Sequence, residues 1–121
     1  MRRLLIAATV LATLTLATGC GDEDTPSDSG SSSEPKVIKV TFDGDSVTPN
    51  GDRVEVATGQ DVQLDIDADV AGEIHVHSSP EQELEYPAGE STQTIKGMDQ
   101  PGTVDVESHH LDKVIVQLEV Q

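Results

Sequence analysis

The 121-residue sequence is poor in several things that most folds rely on: it has one cysteine, one phenylalanine, one tyrosine, no tryptophan, and seven basic residues against 23 acidic ones. A lone cysteine excludes an internal disulfide, a cysteine-based zinc site and an iron–sulfur cluster held by this chain alone. With Phe42 and Tyr86 as the only aromatics, the core must be aliphatic and thin, and a stability near the low end of about 5–15 kcal/mol is expected. The shortage of base leaves a formal charge of −16 and a pI near 4.2, so no basic patch exists to displace counterions from nucleic acid or to seek an anionic membrane surface. Catalytic signatures are missing too. There is no nucleophile elbow, phosphate-cradling glycine loop or zincin motif. Ser78, Ser79 and Ser108 lie near histidines without the orienting acid and oxyanion hole that nucleophilic chemistry needs, so an enzyme is not expected. What is present is a 35% hydrophobic content, mostly Val, Leu and Ile, in a length that suits one domain.

The amino terminus reads as an address. Met1-Arg2-Arg3 precedes an apolar run from Leu4 to Ala17, and Thr18-Gly19 leads into Cys20. A basic start, a short apolar stretch and small residues before a cleavage point make a secretory signal, and the run is too short for a comfortable transmembrane helix. Ala17-Thr18-Gly19-Cys20 resembles the lipobox of bacterial lipoproteins, with Ala17 where leucine is more usual. That resemblance implies a signal peptide over 1–19, a lipid-modified Cys20 as first residue of the mature chain, and a bilayer anchor on the extracytoplasmic face. The alternative is an ordinary signal followed by a free thiol. Arg2-Arg3 leaves the choice between general and twin-arginine export open. Loss of those two arginines deepens the formal charge of −16 by two, which favours solubility and nearby cations.

Residues 20–35 combine the anchor cysteine with an acidic, Ser-rich segment that has no apolar residue to bury, which predicts a disordered tether. From Lys36 the pattern changes to period two. Ile38, Val40 and Phe42 alternate with Lys39 and Thr41, Val54 and Val56 with Arg53 and Glu55, and Val62, Leu64 and Ile66 with Gln63, Asp65 and Asp67. Ile74 and Val76 alternate with Glu73, His75 and His77, and Val104 and Val106 with Thr103, Asp105 and Glu107. Val114, Val116, Leu118 and Val120 form the last apolar series, which puts Ile115 on the water face with Lys113, Gln117 and Glu119. Glu83–Tyr86 and Ser91–Ile95 are weaker candidates. Turn residues punctuate the runs at Asp43-Gly44, Asn50-Gly51, Gly59, Gly72, Pro80, Pro87-Ala88-Gly89, Gly97 and Pro101-Gly102. The expectation is an all-β domain over 36–121, an antiparallel Greek-key β-sandwich of seven or eight short strands.

Residues 73–80 (EIHVHSSP), 101–110 (PGTVDVESHH) and 114–120 (VIVQLEV), with the earlier hairpin 54–64 (VEVATGQDVQL), resemble in order and spacing a cupredoxin-like domain. Members carry one histidine after a middle strand and further ligands in the loop before the last strand. The blue-copper cysteine of that family would fall at Glu107, with His110 three positions on, and no methionine follows; Met98 comes earlier. A blue-copper centre depends on a copper–thiolate bond, so a blue-copper electron carrier is not expected.

All four histidines fall in two pairs, His75 with His77 and His109 with His110. On a strand, residues two apart share a face, so His75 and His77 project together, opposite Ile74 and Val76. Their imidazoles can converge on one Cu2+ or Zn2+ ion, completed by His109 or His110 and by Glu107. Adjacent His109 and His110 cannot point the same way in an extended segment. The competing readings are plain surface histidines on a metal-free scaffold that contacts an envelope protein partner, and a pH-sensing surface. Asp61, Asp65, Asp67 and Asp69 lack the glycine and closing glutamate of a calcium loop and read as an alternating strand face. Glu81, Glu83 and Glu85 read as one exposed edge that discourages edge-to-edge pairing.

Overall fold

The computed structural model describes residues 34–121. The signal peptide 1–19, Cys20 and nearly all of the 20–35 tether lie outside the described residues. Nine strands follow in order: β1 (Lys36–Asp43), β2 (Ser46–Thr48), β3 (Asp52–Val56), β4 (Val62–Ala68), β5 (Gly72–Val76), β6 (Gln82–Tyr86), β7 (Gly89–Ile95), β8 (Gly102–Ser108) and β9 (Lys113–Val120). No helix occurs among the described residues. Both weak candidates are genuine strands, β6 and β7. The strand that exceeds the expected seven or eight is β2, three residues whose single buried side chain, Val47, carries no alternation to read.

The strands form two facing sheets, ordered β2-β1-β4-β7 and β3-β9-β8-β5-β6. The sheets are mixed rather than purely antiparallel. β1 runs parallel to β4, and β3 parallel to β9, because the chain crosses to the other sheet between the members of each pair. A period-two pattern says which side chains share a face and nothing about strand direction, so this part of the topology left no mark on the alternation.

The core lies between the sheets. Val40, Phe42, Leu64 and Ile66 from the four-stranded sheet meet Ile74, Val76, Val106, Val116 and Leu118 from the five-stranded one, all at most 3% exposed. Ile115, expected on the water face, is fully buried. The register explains it. Val106 pairs with Val116 but Glu107 pairs with Val114, so Ile115 is the extra residue of a β-bulge, and it turns inward together with Val116.

Two aromatics close one end of the sandwich. Phe42 stacks on Tyr86 with ring centroids 4.8 Å apart and planes 10° from parallel. Tyr86 lies over its cross-strand partner Gly72, where a Cβ would sit 2.3 Å from the phenol oxygen. Gly72 therefore opens β5 rather than marking a turn, because only a residue without a side chain leaves room for the ring. At the other end Gly97 has the same logic with backbone: a Cβ there would come 2.3 Å from the Gly59 carbonyl oxygen.

Candidate metal centre

β5 lies between β6 and β8 in the five-stranded sheet. Because Ile74 and Val76 are buried, Glu73, His75 and His77 stand in a row on the outer face. β6 brings Glu85 opposite Glu73 and Glu83 opposite His75. β8 brings Glu107 opposite His75 from the other side. The His109 amide donates to the Glu73 carbonyl at 3.0 Å, which extends this pairing and sets His109 beside Glu73. Three imidazoles thus occupy a lattice of carboxylates.

The rings are close neighbours. His75 lies 5.5 Å from His109 and 5.8 Å from His77 between centroids. Nε2 of His75 is 2.7 Å from Glu83 Oε1 and 4.0 Å from Glu73 Oε1. The Glu83 hydrogen bond, reinforced by the charges of Glu83, Glu73 and Glu81, raises the His75 pKa above its ordinary 6.5 against the opposing effect of partial burial. Nε2 of His77 pairs with Glu107 Oε2 at 2.9 Å, and its Nδ1 stands 3.9 Å from Glu81.

One set of donors converges. A carboxylate oxygen of Glu73 and ring nitrogens of His75 and His109 all lie within 4.8 Å of one another. Donors bound about 2.0–2.2 Å from a common ion are somewhat closer than that, a gap that surface side chains close by small rotamer adjustments. This N2O set suits Cu2+ or Zn2+; Cu+ would favour thiolate or thioether sulfur. The donor set fits a divalent ion and lacks the sulfur of a blue-copper centre.

The five residues expected at a site are therefore divided. His75 and His109 belong to the cluster. His77 and Glu107 pair with each other on the same face. His110 takes a different direction from His109: its Nδ1 lies 3.4 Å from the Ser108 hydroxyl, and its ring is tilted 6.3 Å from Phe42. Glu107, aligned by resemblance with a metal-binding cysteine, faces outward to His77, and the fully buried Ser108 is the residue that turns into the core at the end of β8. Glu73 was absent from the expected set. Its signal lay in the spacing all along, since residues 73, 75 and 77 share one strand face.

The acidic residues in and flanking β4 have dispersed roles. Asp61 accepts from the Gly97 amide at 2.8 Å and pairs with Lys96 at 3.3 Å, contacts that lower its pKa below 3.8. Asp65 accepts from the Gln63 side chain at 2.8 Å, and Asp69 accepts from the Gly44 amide at 2.7 Å. Glu83 and Glu85 lie on β6, an edge strand, and Glu81 immediately precedes it.

No protein-family profile and no curated protein sequence matches this chain. Solved structures do match in three dimensions. A mutant of amicyanin in its reduced Cu(I) form is similar with a TM-score of 0.52 at 10% identity, over 73% of this chain and 85% of that one. A blue copper oxidase from Nitrosomonas europaea gives 0.52 at 15% identity, over 73% of this chain and 44% of the oxidase. A purple cupredoxin from Nitrosopumilus maritimus gives 0.50 at 14% identity, over 71% of this chain and 99% of that one. At such identities the likeness establishes architecture: residues 36–121 fold as a cupredoxin-like β-sandwich, whose five-stranded sheet carries a cluster of histidine and glutamate able to hold a metal ion.

Proposed function

We propose that the chain is an exported, lipid-anchored protein that captures and releases a divalent metal ion on the outer face of its five-stranded sheet, through Glu73, His75 and His109. The observation that carries this reading is the convergence of those three donors within 4.8 Å on a surface open to solvent. Copper(II) is the preferred ion, since nitrogen and oxygen sites bind Cu2+ more tightly than other divalent first-row ions, Zn2+ included. An ion held from one side by three protein groups keeps its remaining positions for water or an incoming ligand, which suits hand-over better than permanent storage.

Cys20 is the proposed lipid attachment, placing the domain at the extracytoplasmic face of a bacterial membrane with the 20–35 segment as spacer. Neither catalysis nor electron transfer through a blue-copper centre is part of the proposal. The second reading, a metal-free module that contacts an envelope protein, draws on the pairing of His75 with Glu83 and His77 with Glu107, which satisfies both rings without an ion.

Calorimetry of the full chain in detergent, stripped of metal and free of any histidine tag, decides between them. Saturable binding of one Cu2+ per chain at pH 7.4, weakened at pH 5.5, supports the metal site. Absence of saturable heat with both Cu2+ and Zn2+ overturns it and favours the protein-partner reading.

A further inference from the structure

Two of the three donors also line a cleft. Glu73 and His109 face it together with Ala71, Gly72, Glu85, Tyr86, Pro87 and His110, around a volume of about 620 Å³. His75 does not reach it. The cleft therefore adjoins the donor cluster on the side away from Glu83, at the end of the sheet where β5 begins, β6 ends and β8 leads into its loop.

Its chemistry is uneven in an informative way. Ala71, Gly72 and Pro87 supply apolar surface. Glu85 stands directly across from Glu73 in the β5–β6 register, and none of the hydrogen bonds or ion pairs among the described residues engages its carboxylate. At the inner wall the Tyr86 hydroxyl is buried beside Ser108, in a residue only 2% exposed. Burial and the nearby Asp69 raise the Tyr86 pKa against the opposing effect of the Ser108 hydroxyl, so the phenol keeps its proton. The cleft thus sets apolar wall beside a carboxylate without a partner, which furnishes it for a guest with apolar faces and a polar donor edge.

We infer that this cleft admits one exogenous ligand of the imidazole class, which completes the coordination of the ion held by Glu73, His75 and His109. The inference rests on the proposed metal site. An imidazole ring matches the cleft in three respects. Its ring faces are largely apolar, which suits contact with Ala71, Gly72 and Pro87. It is neutral, so it adds no anionic charge to a region already crowded with carboxylates. Its second ring nitrogen carries an N–H for an acceptor, and metal-bound imidazoles typically donate that proton to a carboxylate, the role open to Glu85. A carboxylate ligand would lack that donor and would face Glu73 and Glu85 as a like charge.

The test loads the full chain in detergent with one equivalent of Cu2+, then titrates imidazole while recording the visible absorption and the electron paramagnetic resonance spectrum. The expected result is a saturable spectral change at one imidazole per ion. Glu85→Ala should weaken imidazole about tenfold, the low end of what loss of an orienting carboxylate costs, while leaving Cu2+ affinity within about twofold. Ala71→Leu, which fills the cleft, should do likewise. If both variants respond to imidazole as the wild type does, or if the wild type shows no saturable response, the inference fails while the metal site stands. If Cu2+ does not bind the wild type at all, both fall. Sedimentation separates the sources of the ring. A copper-dependent dimer dissolved by imidazole supports the assignment with a histidine of a second copy as donor, and a monomer throughout supports it with a small-molecule donor.

Discussion

The two outer faces of this sandwich are built by the same rule and end with different chemistry. Each alternates polar residues with buried aliphatics, and each is acidic. On the four-stranded sheet Asp65 stands beside Gln63 and Thr92, whose amide and hydroxyl are its neighbours at 2.8 and 3.4 Å, and Lys39 and Thr41 complete the surface. On the five-stranded sheet the carboxylates meet imidazoles instead: Glu83 with His75, Glu107 with His77, Glu73 with His109. A carboxylate beside an amide is simply hydrated and satisfied. A carboxylate beside an imidazole forms a donor pair that accepts a metal ion once the ring has lost its second proton. Acidity alone does not make a site; the partner across the strand does.

The largest effect should come from removing a donor on one face and a matched group on the other. His75→Ala is expected to lower Cu2+ affinity by at least about a hundredfold, whereas Asp65→Ala on the opposite face leaves it unchanged, as read by calorimetry. Equal losses would erase the contrast between the faces.

Protons give the next largest effect. The raised pKa of His75 means that its proton competes with metal from above pH 6.5 downward. Cu2+ affinity should therefore fall by about tenfold per pH unit once the solution is below that raised value, from this ring alone. A flat profile between pH 7.5 and 5.5 would remove His75 from the site.

Glu83→Gln sharpens the same point at smaller scale. It deletes the chief cause of the upward shift, so the His75 pKa, followed by NMR of the ring, should drop toward 6.5. In the metal-free protein the raised pKa contributes stability that is fully present below pH 6.5 and fades as pH rises through the folded value; Glu83→Gln should shrink that pH dependence. Persistence of the shift in the variant would mean that the more distant carboxylates dominate.

The smallest effect belongs to Asp61, immediately before β4. Its pKa is depressed by the Gly97 amide and Lys96, so it contributes stability above pH 3.8 that is lost as pH falls through the lower folded value. Asp61→Asn should melt slightly below the wild type at pH 7 and coincide with it at pH 2. A constant difference at both pH values would show a purely structural role.

Much of this was legible in the chain. Burial of Ile74 and Val76 with exposure of His77 follows from strict alternation, and so does the shared row of Glu73, His75 and His77. The inward turn of Ile115 was not legible, because a bulge is set by where β9 must pair with β8, over a register of main-chain contacts that apolar spacing does not encode. That His109 and His110 must diverge was legible, but which of them joins the outer face was not. The two are neighbours in sequence, but the pairing of the His109 amide with the Glu73 carbonyl sends one ring to the outer face, while Ser108 and Phe42 engage the other at the end of the core.

By itself the sequence determined the class of the domain, its aliphatic two-faced strands, and the clustering of every histidine into two short segments, because hydrophobic burial imposes a period that local residues must obey. Tertiary structure alone decided that β1 pairs with β4 and β3 with β9 in parallel, and that Glu73 rather than Glu107 joins His75 and His109. Those outcomes depend on which strands lie side by side and in what register. Contacts between residues far apart in the chain are fixed by packing two sheets against each other, and no local pattern carries that information.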